Sequence, residues 1–450
     1  MATINLELFK GKKLKDGRHP ITVRVYHLKD KNYISTGISA YPKEWDETQE
    51  MVNKTYKYNN MLSAPKFDQV KVSLMERLTD AKNIMLEFEK KKKQYTLEEL
   101  TNTIKRIEKR SSFFEVAKQI EDENRNAKKI GNATAYKTIQ SVVRTYLFRD
   151  EIESELKNYG EKEKKPSHIE IINSIIEKGK KSKDLYFDQI NYSWLKNFET
   201  WHLSKGGGIG GLNTYMRTIR AVFNRAINNM DVLNYLYSFG TGKGKYTILE
   251  GTTRKKAISK DSVSKIKNLC FKEHSQEWHA QKFFLWSFYS RGQDFVDMAY
   301  IKVGTIIDGQ ITYTRKKTIR KKAKTLSLKV TPQMEEIYKL YAAGKGPDEF
   351  LFPIIERTDD LELERLDLYN RRKTYNKYLR RIGEMAGINT ENFTSKSSRH
   401  TWATVAKKSG VGIAIISQGL GHSKQATTEI YLDDLENEDV DFANELITSL

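Results

Sequence analysis

Three residues near the end of this 450-residue chain have types that could grip a phosphate and activate a hydroxyl: Arg399, His422 and Tyr431. Arg399 and His400 stand in SRHTWAT, at the opening of a helical stretch. His422 follows Gly421 in GLGHS, and Tyr431 ends the helical stretch after it, TTEIYL. A guanidinium offers a planar fork of donors to nonbridging phosphate oxygens. An imidazole can accept a proton or donate a hydrogen bond. A tyrosine hydroxyl can attack a phosphodiester and remain joined to it as a phosphotyrosine. Its unperturbed pKa is about 10, so it needs a base or a strong positive field. That chemistry requires no metal and no cofactor, and the sequence offers no metal site. The eight histidines are scattered without an HExxH, and the single cysteine, Cys270, excludes an internal disulfide and a CxxC zinc site. Taken singly, each residue also has an ordinary reading, His422 as a helix cap and Tyr431 as a packed aromatic.

Such residues need elements to hold them. A chain of 450 residues is too long for one core and implies several domains. Apolar residues make up 38% of it, enough for real cores. Mean hydropathy is −0.66, and no apolar run reaches the ~18 residues of a membrane span. MATINLELFKGKKLKDG lacks the apolar block of a secretion signal, so a cytoplasmic location is expected. The 78 basic against 58 acidic residues leave a net charge of +20, an excess that attracts polyanions and nucleic acid above all.

Residues 1–58 read as a small β domain. NLELF, ITVRVYHL and NYISTGI alternate or are β-branched, Asp16-Gly17 marks the turn between the first two, and TGISAYPKEWD closes the unit. Lys12, Lys13, Lys15, Arg18 and Arg24 give it a basic side, fit for a DNA groove or simply solvated. Residues 59–110 read as a charged helical connector. Residues 111–240 read as a helical domain behind a serine cap, with Tyr136, Ile139, Val143, Tyr146 and Leu147 on one side of one helix. A last helix carries Ile219, Val222, Phe223, Ala226 and Ile227 as its core stripe, with Arg217, Arg220 and Arg225 among them. GGGIGG has no GK[ST] and follows no strand, so it reads as a hinge that no helix continues through. The charge-dense stretch of about 150–184 reads as a partly mobile insert, and 241–256 as a linker. Residues 257–450 mix helices with a hairpin turning at Asp308-Gly309 and a further strand, LSLKV.

The order SRHTWAT, GLGHS, YL resembles the catalytic domain of the tyrosine recombinases, or phage-type integrases, in which a helical HxxRHTxA motif precedes LGH and a nucleophilic tyrosine. The helical stretch 111–230 resembles their core-site DNA-binding domain. The basic sheet with TGISAYPKEWD resembles the arm-type DNA-binding domain of integrases from mobile elements of Bacteroides-like bacteria. The fold class this implies is multidomain and mainly α: a small N-terminal β-sheet arm-binding domain, a helical core-binding domain and an α+β catalytic domain. By the resemblance, Tyr431 is the nucleophile, Arg399 and His422 hold the scissile phosphate, and His400 stands behind them. ITYTRKKT resembles the hairpin whose lysine protonates the leaving 5′ oxygen. Lys317 fits that role, with Lys316 as its near neighbour.

Two departures from the pattern matter. The usual first histidine of HxxR is Lys396 here, a poorer proton shuttle near neutral pH unless its pKa is lowered. In YSRGQDFVDMAYI, aligning Gly292 and Asp297 with the family's G-x-R-x-x-E/D puts Asp294 where an arginine is usual. Arg291 is then expected to supply the guanidinium, Asp294 to point away, and Asp297 to stand behind. The tail at 433–450 carries seven acids and no base and reads as an amphipathic segment packing on a partner subunit or on its own domain.

The resemblance implies a DNA-bound homotetramer acting on core-type and arm-type sites, with a host DNA-bending protein as an accessory, in the cytoplasm at the nucleoid. The outcome is integration or excision of a mobile element; a DNA invertase or dimer-resolving recombinase is the alternative. A DNA-binding protein crippled by Asp294 and Lys396 and a type IB topoisomerase are the other readings.

Overall fold

The structure is a computed structural model. It describes residues 2–56, 67–90, 95–108, 111–159, 165–178, 183–229, 231–249, 257–316, 325–422 and 425–432. The chain divides into two compact units, Met1–Gly251 and Thr252–Leu450.

The first unit opens with an antiparallel sheet of β1 (Thr3–Leu8), β2 (His19–His27) and β3 (Asp30–Ala40), in that order. Ile4 pairs with Val25, Leu6 with Val23 and Leu8 with Ile21, so the period of two puts all six on one buried face. The Asp16-Gly17 turn is present, with Gly17 N–H donating to the Leu14 carbonyl at 2.9 Å. A small ladder of β4 (Trp45–Asp46) and β5 (Met51–Val52) follows. Three strands cannot bury an apolar face alone. Helices α1 (Phe67–Lys90) and α2 (Leu97–Glu108) cover it, with Leu74, Ile84, Leu100 and Ile104 in the sheet's own core. The stretch expected as a connector is thus part of that core.

Helices α3 (Phe113–Asn126), α4 (Ile130–Leu147), α5 (Arg149–Leu156), α6 (His168–Glu177), α7 (Tyr192–Ser204) and α8 (Ile209–Asn228) continue the unit. Ser112 caps α3, accepting from Phe114 and Glu115 N–H. The stripes expected on α4 and α8 are buried at Ile139, Val143, Tyr146, Ile219, Val222, Phe223 and Ala226. Three expectations are corrected. The 150–184 insert holds α6 and most of α5, which share a small core of Phe148, Ile152, Ile171, Ile172 and Ile175; isoleucines at helical spacing outweigh the surrounding charge. α8 begins inside GGGIGG, taking Gly210 and Gly211 into its first turn, where Gly208 serves as N-cap. The first part of the linker is docked: Tyr246 is buried in the helical core and its hydroxyl donates to Glu199 at 2.5 Å.

The second unit is built around α10 (Gln276–Tyr289). Trp278, Phe283, Phe284, Leu285 and Trp286 are buried all round it, as expected of a central helix; each contributes roughly 1.5–3 kcal/mol. Before it comes α9 (Lys260–Asn268) and after it α11 (Phe295–Ala299). The sheet is β6 (Ile306–Ile307), β7 (Gln310–Thr314) and β8 (Thr325–Lys329), antiparallel in that order. Asp308 (φ 49°) and Gly309 (φ 70°) make the expected two-residue turn. Helices α12 (Pro332–Ala342) and α13 (Leu361–Met385) complete the core around α10. Then come α14 (Ser397–Lys408), α15 (Ile413–Gly419) and α16 (Ala426–Leu432). The tail at 433–450 lies outside the described residues. No helix among the described residues is long and apolar enough to cross a membrane.

One core contact makes the unit's stability depend on pH. The His279 Nδ1 lies 2.7 Å from the Tyr341 hydroxyl, among the rings of Trp278 and Phe283. Burial pushes the imidazole down to about 4, aided by nearby positive groups. A depressed histidine stabilises the fold above its unfolded pKa of 6.5 and loses that contribution as pH falls toward about 4. Thermal melts at about pH 7 and about pH 4.5 should show wild type losing more Tm than His279→Phe. Equal losses would refute this assignment.

Candidate active site

The first turn of α14 delivers Arg399 inward. The N–H groups of Arg399 and His400 both donate to the Lys396 carbonyl at 3.1 Å. The Ser398 hydroxyl lies 2.7 Å from the Ser287 hydroxyl on α10, which itself donates to the Gln293 carbonyl at 2.6 Å. Lys396 is exposed at the helix start, and His400 is buried beside Arg399.

Arg399 is only 7% exposed, so its donors must find partners inside the protein. Nη1 donates to the Gly292 carbonyl at 2.7 Å. Nη2 donates to the Leu420 carbonyl and lies 3.0 Å from His422 Nε2. A guanidinium can only donate, so Nε2 accepts and the ring proton sits on Nδ1. Nδ1 in turn donates to the Thr428 hydroxyl at 2.8 Å. Thr428 is fully buried on α16, three residues before Tyr431. One imidazole therefore bridges the buried guanidinium and the helix that carries the tyrosine. The Tyr431 side chain lies outside the described residues.

The loop after α10 fits against Arg399. Arg291 (φ 59°) and Gly292 (φ 69°) are both left-handed, and the N–H groups of Gly292 and Gln293 turn back onto the Ser287 carbonyl at 2.8 and 3.2 Å. A left-handed arginine is strained and exposed here. The Asp294 carboxylate caps α11, accepting from Val296 N–H at 3.3 Å. Asp297 is buried. It accepts the Lys316 N–H at 2.8 Å, and its other oxygen lies 3.6 Å from Arg315 Nε. Burial pushes the Asp297 carboxyl up, against the Lys316 N–H and the two arginines, which hold it down.

Arg315 is the residue that motif reading missed. It is buried, and its Nη1 donates to the Gly421 carbonyl at 3.0 Å. Two arginines thus hold consecutive carbonyls of the Leu-Gly-His turn, Leu420 by Arg399 and Gly421 by Arg315. The available signal was alternation: Ile311, Tyr313 and Arg315 share one side of the strand's register, so the arginine follows a buried isoleucine and a half-buried tyrosine inward. Lys316 is exposed, its ammonium 3.7 Å from the Tyr300 ring centroid. Lys317 lies outside the described residues.

In the first unit, Lys12, Lys13 and Lys15 are exposed between β1 and β2, and Arg217 and Arg220 are exposed on α8. Arg24 pairs with Glu7 at 2.8 Å and Arg225 with Glu123 at 2.8 Å. Arg18 does not belong to the exposed basic side. It is 4% exposed and stacks 5.2 Å from the Tyr41 ring centroid, because its aliphatic stem and planar head pack well there.

Comparison with known proteins gives three family matches along the chain: an arm DNA-binding domain at 7–101, a phage integrase SAM-like domain at 112–241 and the phage integrase family itself at 256–438. A curated relative, tyrosine recombinase XerA of Saccharolobus solfataricus, is 32% identical over 112 residues, or 24% of this chain and 32% of the relative. The match therefore spans about a third of that relative's length. Solved structures with some likeness include XerH recombinase bound to a palindromic difH substrate (13% identity, TM-score 0.41, 62% of this chain and 76% of that one). A lambda integrase tetramer bound to a Holliday junction is similar at 14% identity and TM-score 0.41, over 64% of this chain and 76% of that one.

The seating of Arg399 on Gly292 can be tested by stability. A Cβ at 292 would stand 2.7 Å from Arg399 Cα and 2.9 Å from its Cγ, in a left-handed backbone. Gly309 has the same backbone sign with nothing within 4 Å. Gly309→Ala should cost only the backbone strain of about 1–2 kcal/mol. Gly292→Ala should cost about 2–4 kcal/mol. Denaturant titration measures both; equal losses would mean that Arg399 is not packed against Gly292.

Proposed function

The chain belongs to the phage integrase family of tyrosine recombinases, and from that membership we propose that it is a site-specific recombinase that integrates or excises a mobile element. Tyr431 attacks the scissile phosphodiester, leaving a 3′-phosphotyrosyl link and a free 5′-hydroxyl. A 5′-hydroxyl of the partner duplex reverses the step, so the bond energy is kept and no nucleotide cofactor is consumed. Arg399, His422 and Arg291 stabilise the charge that builds on the phosphoryl oxygens. A lysine of the β7–β8 loop, Lys317 by its place before Thr318, protonates the departing oxygen. Lys396 adds positive charge at the start of α14, and Asp297 holds the loop root in place.

The observation that carries this reading is the His422 bridge. Its ring joins the buried Arg399 to Thr428 on the tyrosine's helix, which couples the phosphate-binding groups to the nucleophile's element. An incoming phosphate would replace the Arg399–His422 contact with an anion that suits the guanidinium better. The strained backbone at Arg291 supports a functional arginine there, since the strain is retained beside Arg399's anchor. Asp294 is consistent with that role, its carboxylate engaged by the cap of α11.

The substrate is double-stranded DNA. The exposed lysines of the β1–β2 connection would hold arm-type sites, and Arg217 and Arg220 core-type sites, through the phosphate backbone. Exchange between two duplexes needs four protomers, with a host DNA-bending protein as accessory. The setting is the cytoplasm, at the nucleoid. The strand-breaking step is the one that type IB topoisomerases also use.

A core-site duplex with a nick beside the cleavage position traps the covalent intermediate. Wild type should form the adduct and Tyr431→Phe should form none. Arg399→Ala should lower its rate by about 10²–10³-fold and Arg291→Ala by at least about tenfold. No adduct with wild type would favour a DNA-binding protein that has lost catalysis. An adduct with Tyr431→Phe would displace the nucleophile.

A further inference from the structure

We propose that Arg315 is a positioning residue for the leaving-group acid: it fixes the root of the lysine-bearing β7–β8 loop against the turn that presents His422. This rests on the recombinase reading above. Arg315 is 7% exposed, and its guanidinium spans two partners, the Asp297 carboxylate at 3.6 Å and the Gly421 carbonyl at 3.0 Å. The next residue, Lys316, gives its backbone N–H to the same carboxylate at 2.8 Å. The exit of β7 is therefore pinned twice, by a side chain and by the backbone beside it, immediately before Lys317. The Gly421 carbonyl is the far end of the clasp. A Cβ at 421 would stand 3.1 Å from Arg315 Cδ and 2.9 Å from Leu326 Cδ1 on β8, so the turn sits directly on both strands of the hairpin.

The two ends of the clasp are not equally dependent on it. His422 keeps its own ties to Arg399 at 3.0 Å and to Thr428 at 2.8 Å, and Arg399 also holds Leu420. Beyond the β7–β8 ladder, the loop root among the described residues is held by the Asp297–Arg315 clasp and by one exposed contact, the Lys316 ammonium over the Tyr300 ring. Losing Arg315 should therefore misplace the lysine first and the phosphate-binding groups least. In the cleavage step the Tyr431 hydroxyl gives up its proton to solvent water, its oxygen bonds to phosphorus, the bond from phosphorus to the 5′ oxygen breaks, and its electron pair goes to that oxygen. The oxygen takes its proton from the lysine ammonium. A 5′ sulfur in the same place leaves as a thiolate, since a thiol has a pKa of about 8.5 and needs no proton from an acid.

That difference gives the test. The full-length protein is mixed with two nicked core-site duplexes, one with the normal 5′ oxygen at the scissile position and one with sulfur. Arg315→Gln should form the covalent adduct about 10–100-fold more slowly than wild type on the oxygen substrate. On the sulfur substrate it should stay within about threefold of wild type, with DNA binding by gel shift unchanged. Arg315→Lys keeps a charge beside Asp297 but lacks the fork that reaches both partners. It should show the same selective loss at smaller size, and it serves if the glutamine variant does not fold. Equal impairment on both substrates, or none on either, would overturn the proposal. Failure of wild type on both substrates would instead strike the recombinase reading, as would an adduct that survives Tyr431→Phe.

Discussion

The catalytic unit is organised around a buried guanidinium. Removing an arginine from water is costly, and the cost is recovered only when its donors meet acceptors in good geometry. Arg399 meets the Gly292 and Leu420 carbonyls and the His422 ring. Those acceptors come from two separate places in the chain, the turn after α10 and the Leu420–His422 turn after α15. Each must therefore be built to bring a backbone oxygen or a ring nitrogen to one point. Gly292 is glycine because its Cβ would collide with Arg399's own backbone. The paired serines at 287 and 398 fix the spacing of α10 and α14, so that the carbonyl and the arginine arrive together. Losing one such contact while the charge stays buried would cost roughly 1–3 kcal/mol.

The electrostatic result is a site short of anions. Arg399 and Arg315 are both buried, and Asp297 is a buried carboxylate set against Arg315. Asp294, the neighbouring acid, is committed to a helix cap, where the N-terminus of α11 holds it. Asp297's own carboxyl is pushed up by burial and held down by the arginines and the Lys316 N–H, so its charge depends on the same groups that it positions. Backbone carbonyls share the positive charge with that carboxylate. The phosphate proposed above as ligand would offer stronger acceptors than a carbonyl or a neutral imidazole.

Much of the architecture was legible because it follows from period and turn chemistry. The alternating strands of the N-terminal sheet, the serine cap of α3, the stripes of α4 and α8 and the Asp308-Gly309 hairpin all express local rules. The misreadings came where local composition and tertiary packing disagree. The 150–184 stretch is rich in lysine and glutamate, yet its isoleucines bury against one another. GGGIGG does end α7, yet α8 already starts within it, since glycines in a first turn cost little once Leu212 and Met216 are anchored in the core. The sequence 241–256 has the glycines of a linker, yet one tyrosine ties its first part to Glu199.

The site divides along a similar line. Arg399 and His422 could be singled out by type, because a group that handles a phosphate, as proposed above for both, must be of a certain type at a certain place. Arg315 could not be found that way, because its partners are a carboxylate and a backbone carbonyl, and a carbonyl leaves no trace in the sequence. In TRKKT three cations stand together, and chemical type alone does not separate the one that faces inward from those that face out. Strand alternation does separate them, since Ile311, Tyr313 and Arg315 fall on one side and Lys316 on the other. Thr428 is hidden for the same reason: a threonine before a tyrosine is unremarked until an imidazole is seen to rest on it. Residues that touch the reacting atoms are constrained by chemistry, whereas residues that hold those in place are constrained by geometry. A basic residue falling on the buried side of a strand's alternation is therefore the mark by which the second kind can be sought.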